Sequence, residues 1–230
     1  MSRQRLKLKI LPHGSYKGIN ADDPIRFYYL PIFGPMYRRR VELCLGECRG
    51  GRRVLEIGYG SGVSFLNLHE LYSEIYGIDL TASVEAVKSV FDALEIPTFL
   101  TNGNVLAMPY EDNYFDTVLL ISILEHLHSD ELERAFREIQ RVLKPGGQMV
   151  YGAPVERPFM IFMFRRLGYD IRKAHFSTEK QIAAAAEQLF RWEKIIQMKS
   201  TPPLFGAVYE VGHFVKAWEV AEEEAGKEIE

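Results

Sequence analysis

The chain has 230 residues, 47% of them hydrophobic and 26% charged, which suits one sizeable folded domain and argues against a disordered chain. Its formal net charge is -3, so it lacks the overall positive field behind non-specific nucleic-acid affinity, and a nucleic-acid substrate is disfavoured. The two cysteines, Cys44 and Cys48, are too few for a disulfide framework or a zinc site, and are expected as reduced, partly buried thiols of a cytoplasmic protein.

Met1 to Ile10 alternates Arg and Lys with Leu and Ile and has no long apolar core, so neither a signal peptide nor a membrane span is expected there. Arg3, Arg5, Lys7 and Lys9 read as a solvated arm. Tyr37, Val41, Cys44, Leu45 and Cys48 form one helical stripe that ends near Gly50 and Gly51. A short buried strand over Val54 to Ile57 stops at Gly58-Tyr59-Gly60-Ser61-Gly62, and a helix follows from about Val63 to Tyr72. Ile75 to Leu80 is a second strand, and Val84, Val87, Phe91 and Leu94 mark a helix that Pro97 ends. Thr98 to Thr101 suits a third strand and Phe115 to Ser122 a fourth.

Leu132, Ala135, Phe136, Ile139 and Val142 mark the next amphipathic helix, which Lys144-Pro145-Gly146-Gly147 stops before a fifth strand from Gln148 to Tyr151. Ala153 to Phe176 breaks the alternation and reads as a lid or insertion. Ser177 or Thr178 then caps a helix with Ile182, Ala185, Ala186 and Leu189 inward, and Glu193 to Lys199 and Gly212 to Trp218 look like final strands. The acidic tail after Val220 reads as a solvated or frayed helix end.

Strands alternating with helices over short connections predict an α/β, doubly wound, mostly parallel seven-stranded sheet with helices on both faces. The expected organisation is a single domain over 1–230, with an N-terminal helical extension over 1–50 and a cofactor-binding core over 54–151. A lid over 153–176 and a C-terminal helix with strands over 177–220 complete it. In such a sheet the ligand lies outside the C-terminal ends of the strands.

The bend Gly58-x-Gly60-x-Gly62 removes side chains where a backbone must approach a ligand. Its third glycine comes one residue earlier than the dinucleotide fingerprint requires, which counts against NAD or FAD. Asp79, at the end of the second strand, stands near the spacing at which a carboxylate accepts from both ribose hydroxyls; a charge favoured by a helix N-terminus is the plainer alternative.

With Val54-Leu55-Glu56-Ile57 before the glycine bend, Tyr76-Gly77-Ile78-Asp79, Gly103-Asn104-Val105-Leu106-Ala107-Met108-Pro109-Tyr110, Phe115-Asp116-Thr117-Val118 and Leu143-Lys144-Pro145-Gly146-Gly147, the chain resembles the class I S-adenosylmethionine-dependent methyltransferases, in their small-molecule, lipid and quinone branch. The resemblance covers about Val54 to Tyr151. It implies that the glycine bend lies under the methionine and ribose of S-adenosylmethionine, that Asp79 holds the ribose, and that Glu56 contacts the amino group. Asn104 and Val105 would bracket the adenine, with Asn standing where many relatives have Asp. Tyr59, Leu80 and Ile121 complete the implied cofactor-binding set.

Methyl transfer from an activated cofactor needs little beyond alignment, so catalytic residues are hard to read. For a hydroxyl acceptor a general base helps, and Glu125 and His126 follow the fourth strand on the acceptor side; orienting the cofactor or capping a helix are their other roles. No Asn-Pro-Pro-Tyr or Asp-Pro-Pro-Tyr follows that strand, against nucleic-acid and glutamine amino-methylation, and no Pro-Cys pair supports cytosine C5 methylation. No acid cluster suits magnesium, so no metal site is expected.

The run Pro158 to Arg166 either accepts a hydrophobic substrate or touches a membrane, its arginines meeting phosphates, or is a helix buried against the sheet rim; burial is the preferred reading. His175 and Phe176 are a substrate-side pair or a locally satisfied histidine and its neighbour. Two functions of different class follow: methylation of a small-molecule or lipid-like acceptor, or a non-catalytic cofactor-binding or partner-activating module of the same fold. An NAD-dependent oxidoreductase is a weaker third.

Overall fold

Strand β1 (Gly51–Ile57) shows why a sheet covered on both faces forms: Val54 and Leu55 point to opposite sides and both are fully buried. The alternation recurs in β4 (Phe115–Ile121), where Leu119 joins one apolar cluster and Val118 and Leu120 the other. In β5 (Leu143–Pro154) Val150 likewise opposes Met149 and Tyr151. A computed structural model, describing residues 6–18, 23–31, 33–155, 175–199 and 206–218, places these strands in one seven-stranded sheet. With β2 (Tyr72–Asp79), β3 (Thr98–Asn102), β6 (Arg191–Lys199) and β7 (Ala207–Val215), the order is β3-β2-β1-β4-β5-β7-β6. The first five strands pair in parallel, and β7 runs antiparallel to both β5 and β6. The chain winds outward from β1 to β3 and then crosses to β4, so the topological switch point lies between β1 and β4.

One face carries α1 (Gly34–Glu47), α2 (Phe65–Leu71) and α3 (Val84–Asp92), whose Val41, Cys44, Phe65, Leu68, Val87 and Phe91 pack over Val54, Leu119 and Val150. The other carries α4 (Ser129–Val142) and α5 (Glu179–Glu187), with Phe136, Ile139, Ile182 and Ala186 over Leu55, Val118 and Leu120. All five apolar residues of the expected α4 stripe are buried; hiding a ring the size of Phe136 contributes about 2–3 kcal/mol. Of the two candidate caps before α5, Thr178 is the one used: its hydroxyl accepts from Gln181 N while the Gln181 side chain accepts from Thr178 N at 3.0 Å, a capping box.

Among the described residues the strands and α-helices follow the expected order, with differences at three places beyond small shifts of element ends. Strand β5 begins at Leu143, directly after α4, so Lys144-Pro145-Gly146-Gly147 ends the helix and starts the strand at once; Gly146, at φ +74°, takes the change of direction. Strand β7 spans Ala207–Val215 and stops short of Trp218. Among its described residues the N-terminal extension is not helical before a 3-10 helix at Pro24–Tyr29, and Lys7 and Lys9 do not lie on a free arm. Lys9 N donates to Asn67 Oδ1 at 2.8 Å, Asn67 Nδ2 donates to the Lys7 carbonyl at 3.1 Å, and Leu8 is buried. One buried amide on α2 thus satisfies two backbone groups of the arm, which periodicity in the arm itself does not reveal.

Both cysteines are free buried thiols, and burial pushes Cys48 up to about 12 and Cys44 well above its ordinary value. Residues 156–174, which hold nearly all of the expected lid and the whole run from Pro158 to Arg166, lie outside the described residues, as do Arg3, Arg5 and the acidic tail. Among the described residues no helix is long and apolar enough to cross a membrane.

Candidate cofactor and acceptor site

The bend after β1 has three successive glycines in the left-handed region, Gly58 at φ +72°, Gly60 at +52° and Gly62 at +74°. The reason at Gly58 is also steric: a Cβ there would fall 2.0 Å from Ile123 Cδ1, so the second residue after the end of β4 lies directly on the bend. Gly58 N donates to the Ile78 carbonyl at 2.8 Å, tying the bend to the end of β2. There Asp79 turns its carboxylate back. Its Oδ2 accepts from Gly60 N at 3.0 Å, and its Oδ1 accepts from Thr81 N at 2.8 Å and Ala82 N at 2.9 Å. Three backbone donors fix the carboxylate: the two on Oδ1 take both of its lone-pair directions, and Oδ2, with one donor, keeps one open.

Glu56 lies within β1 just below the bend, only 3% exposed, and accepts a short hydrogen bond from the Ser64 hydroxyl. Burial raises its carboxyl to about 8; the Ser64 bond opposes this and the Asp79 charge adds to it. Asp23, which sequence reasoning missed, is the third acid of the bend. A Cβ on Gly60 would meet its Oδ2 at 3.0 Å, and its Oδ1 accepts from Ile25 N at 2.8 Å to cap the 3-10 helix. Burial pushes Asp23 up, bonds from Ile25 and Ser61 draw it down, and the Asp79 charge raises it again. The Asp23-Pro24 pair is a helix-start signature that could have located this residue, though not its contact with Gly60.

The remaining expected cofactor residues share the same rim. Leu80 is 69% exposed beside Asp79, a large apolar side chain kept in the open. Gly103 N donates to the Asp79 carbonyl at 3.0 Å and brings Asn104 and the buried Val105 alongside. Asn104 Oδ1 already accepts from Leu106 N at 2.9 Å, so one of its two lone pairs stays available. Ile121, half-buried, ends β4. Tyr59 differs in direction: its ring turns inward, where a Cβ on Gly77 would meet Tyr59 Cδ1 at 2.6 Å, and its buried hydroxyl has no partner. Only the backbone of Tyr59 belongs to the bend.

On the acceptor side a 3-10 helix, Leu124–His126, follows β4, with Glu125 buried and His126 exposed. Phe176 N and Ser177 N both donate to the Glu125 carbonyl, at 2.8 and 3.2 Å, and Ser177 Oγ donates to the Leu127 carbonyl at 2.7 Å. These bonds fasten the residues that follow His175 to the turn at Glu125, and the His126 and His175 rings meet edge-on at 5.2 Å. Glu125, His126 and His175 each offer a ligand atom within 4.8 Å of the others, a convergence across 50 residues that the sequence reading, which expected no metal site, did not see. Ser122, a non-glycine residue at φ +59°, turns the chain out of β4 and shares a 2.9 Å hydroxyl contact with Tyr209.

With this geometry in place, residues 55–151 match the family described as "Methyltransferase domain". That match spans 97 of the 230 residues, so over this part the chain is similar to a methyltransferase domain. Among curated proteins, an uncharacterized methyltransferase of Bacillus subtilis (strain 168), YcgJ, is 33% identical over 107 residues, 45% of this chain and 41% of the relative. A demethylmenaquinone methyltransferase of Shouchella clausii is 30% identical over 132 residues, 53% of this chain and 55% of the relative. The chain thus spans about half the length of these relatives. Among solved structures, the N-methyltransferase NodS of Bradyrhizobium japonicum WM9 in complex with S-adenosylhomocysteine superposes with a TM-score of 0.63 at 17% identity, covering 86% of this chain and 94% of that one. At that identity the likeness establishes the fold of the methyltransferase domain and no more.

Proposed function

We propose that the chain binds S-adenosylmethionine at the glycine bend and transfers its methyl group to a small-molecule or lipid-like acceptor. The observation that carries this reading is the 3.0 Å bond between Gly60 N and Asp79 Oδ2, which joins the side-chain-free bend and the rim carboxylate into one cradle at the switch point of the sheet. The residues present fit the cofactor. Asp79 would hold the ribose through the open lone pair of Oδ2, Leu80 would cover one adenine face, and Asn104 and Val105 would flank the base. Glu56 would meet the amino group. When bound, the cofactor supplies a methyl carbon already activated by its sulfonium.

The chain's own contribution is then alignment and proton management. Glu125 is held in place through its carbonyl and leaves His126 exposed next to it, in position to take a proton from an acceptor hydroxyl or ammonium. The relatives named for quinone methylation favour a small aromatic or isoprenoid acceptor among those classes. Calorimetric titration with S-adenosylhomocysteine tests the proposal, and saturable binding that Asp79→Ala weakens is the expected result. A folded protein that takes up no S-adenosylhomocysteine would instead favour a non-catalytic module on the same fold.

A further inference from the structure

We propose that Arg40 is the recognition element for an anionic group, a carboxylate or phosphate, carried by the methyl acceptor; this rests on the methyl-transfer reading above. Arg40 projects from α1, which packs across β4, β5 and β7, the half of the sheet on the acceptor side of the switch point. Part of the residue reaches the surface, but its Nε is sealed from solvent and has no hydrogen-bond acceptor. Its guanidinium carbon stands 4.1 Å from the Tyr37 ring centre and 5.3 Å from that of Tyr209. The charged and titratable groups around it are Tyr209, Tyr28, Tyr37 and Glu125. No ion pair or hydrogen bond joins Arg40 to a carboxylate among the described residues.

Among the described partly buried arginines, Arg40 is the one that makes no hydrogen bond; Arg38, which pairs with no carboxylate either, donates its Nε to the Tyr28 carbonyl at 2.9 Å. Arg53 pairs with Glu74 at 2.8 Å, Arg141 with Glu138 at 2.9 Å and with Asp112 at 2.8 Å, and Arg39 with Glu42 at 3.3 Å. A guanidinium carries five donors in a fixed fork, and leaving one inside the protein without an acceptor is costly. The stacking tyrosines hold the plane of the fork without consuming its donors. Tyr209, the farther of the two rings, is itself anchored by the Ser122 contact at the end of β4, and Gly152 makes room for it, since a Cβ there would meet the Tyr209 hydroxyl at 2.5 Å. The fork is therefore pre-oriented by Tyr37 and by Tyr209, the ring held at the β4 exit, with Glu125 as the carboxylate among the groups around it.

The test compares wild type with Arg40→Met and Arg40→Lys, using thermal unfolding to confirm that each variant folds. S-adenosylhomocysteine is first titrated into each protein. Labelled methyl transfer is then measured on matched acceptor pairs: 3,4-dihydroxybenzoate with its amide, and glycine with glycinamide. Beside these, the Arg40 Nε–H resonance is followed by nitrogen-15 NMR as benzoate or inorganic phosphate is added, up to about 10 mM, to the S-adenosylhomocysteine complex, a range that detects weak fragment binding.

We expect the acid to outrun its amide by about tenfold or more in kcat/KM in wild type, as a charge-assisted fork allows. Arg40→Met should abolish the preference and Arg40→Lys restore part of it, with S-adenosylhomocysteine affinity within about threefold of wild type in both. The Nε–H resonance should shift with benzoate or phosphate, and whichever anion moves it identifies the source. An Nε–H signal that ignores both anions would overturn the proposal, as would an acid-to-amide ratio unchanged in Arg40→Met. A loss of S-adenosylhomocysteine affinity in Arg40→Met of about tenfold or more would assign the guanidinium to the cofactor and overturn it too. If wild type itself fails to bind S-adenosylhomocysteine, the methyl-transfer reading fails first, and that outcome is distinct from the others.

Discussion

Cofactor binding should expel a proton from Glu56. In the free protein burial raises this carboxyl from 4.5 to about 8, so at pH 7 it is about nine-tenths protonated. An ammonium placed against it favours the charged form and should return it toward the ordinary carboxylate range. Titrating S-adenosylhomocysteine at pH 7 in buffers of different ionisation enthalpy measures the release directly, as the slope of observed heat against buffer enthalpy. We expect up to about 0.9 proton released per site in wild type and a slope near zero in Glu56→Gln, which keeps the shape and cannot ionise. The same shift acts on stability. Between pH 4.5 and 8 the folded protein binds more protons than the unfolded chain, so stability present at low pH is lost as pH rises through that window, and none of this slope should survive in Glu56→Gln. At about 1.4 kcal/mol per unit the ceiling is about 5 kcal/mol. Tight binding with no proton release from wild type, or an unchanged slope in Glu56→Gln, would refute the placement of the ammonium at Glu56.

Replacing Asp79 by Ala strips three backbone N–H groups of their acceptor and should weaken S-adenosylhomocysteine binding by about 10-fold to 100-fold, with about 1–3 kcal/mol lost in urea unfolding; affinity equal to wild type by calorimetry would put the nucleoside elsewhere. Gly58→Ala drives a Cβ to 2.0 Å from Ile123 Cδ1 at a positive φ, so it should cost about 2 kcal/mol or more by denaturant unfolding, and a neutral result would mean that Ile123 does not cover the bend. His126→Ala should lower kcat by about 10²-fold to 10⁴-fold while leaving S-adenosylhomocysteine affinity in place, if His126 is the base; a kcat within a few-fold of wild type would leave deprotonation to another group.

The glycine bend and its carboxylate, the half proposed to take the nucleoside, could be placed together from the sequence because these residues act through their own backbone neighbourhood. Glycines at 58, 60 and 62 imply a left-handed bend wherever they occur, and an acid ending the second strand of a parallel sheet must lie next to the first βα turn. The strands were legible for the same reason: two buried faces leave unbroken apolar runs such as Val118 to Ile121. The other half was legible only in part: Glu125, His126 and His175 stood out as candidates, but their convergence did not, nor did Arg40, Ser122 and Tyr209, which come from α1, the β4 exit and β7, and no spacing rule links a helix that precedes the sheet to the last strand. Nor could direction be read: Tyr59 sits within the glycine motif but turns its ring inward because Gly77, on the neighbouring strand, leaves the space.

Charge divides the two halves in a way that bears on order of binding. Asp23, Glu56 and Asp79 crowd one bend, and Asp23 and Glu56 are each raised by burial and by the charge of Asp79, so the cradle holds back protons until something cationic enters. The guanidinium of Arg40, presented by α1 with Glu125 among the charges around it, is where an incoming anion would meet the protein on the proposal above. A cationic cofactor is therefore drawn to the bend and an anionic acceptor to α1, and neither site attracts the other's ligand. Because Asp23 also caps the 3-10 helix that leads into α1, filling the bend should fix the base of the helix that presents Arg40. Cofactor first and acceptor second is the binding order this arrangement favours. Acceptor affinity that is the same with and without saturating S-adenosylhomocysteine would show that the two halves act independently.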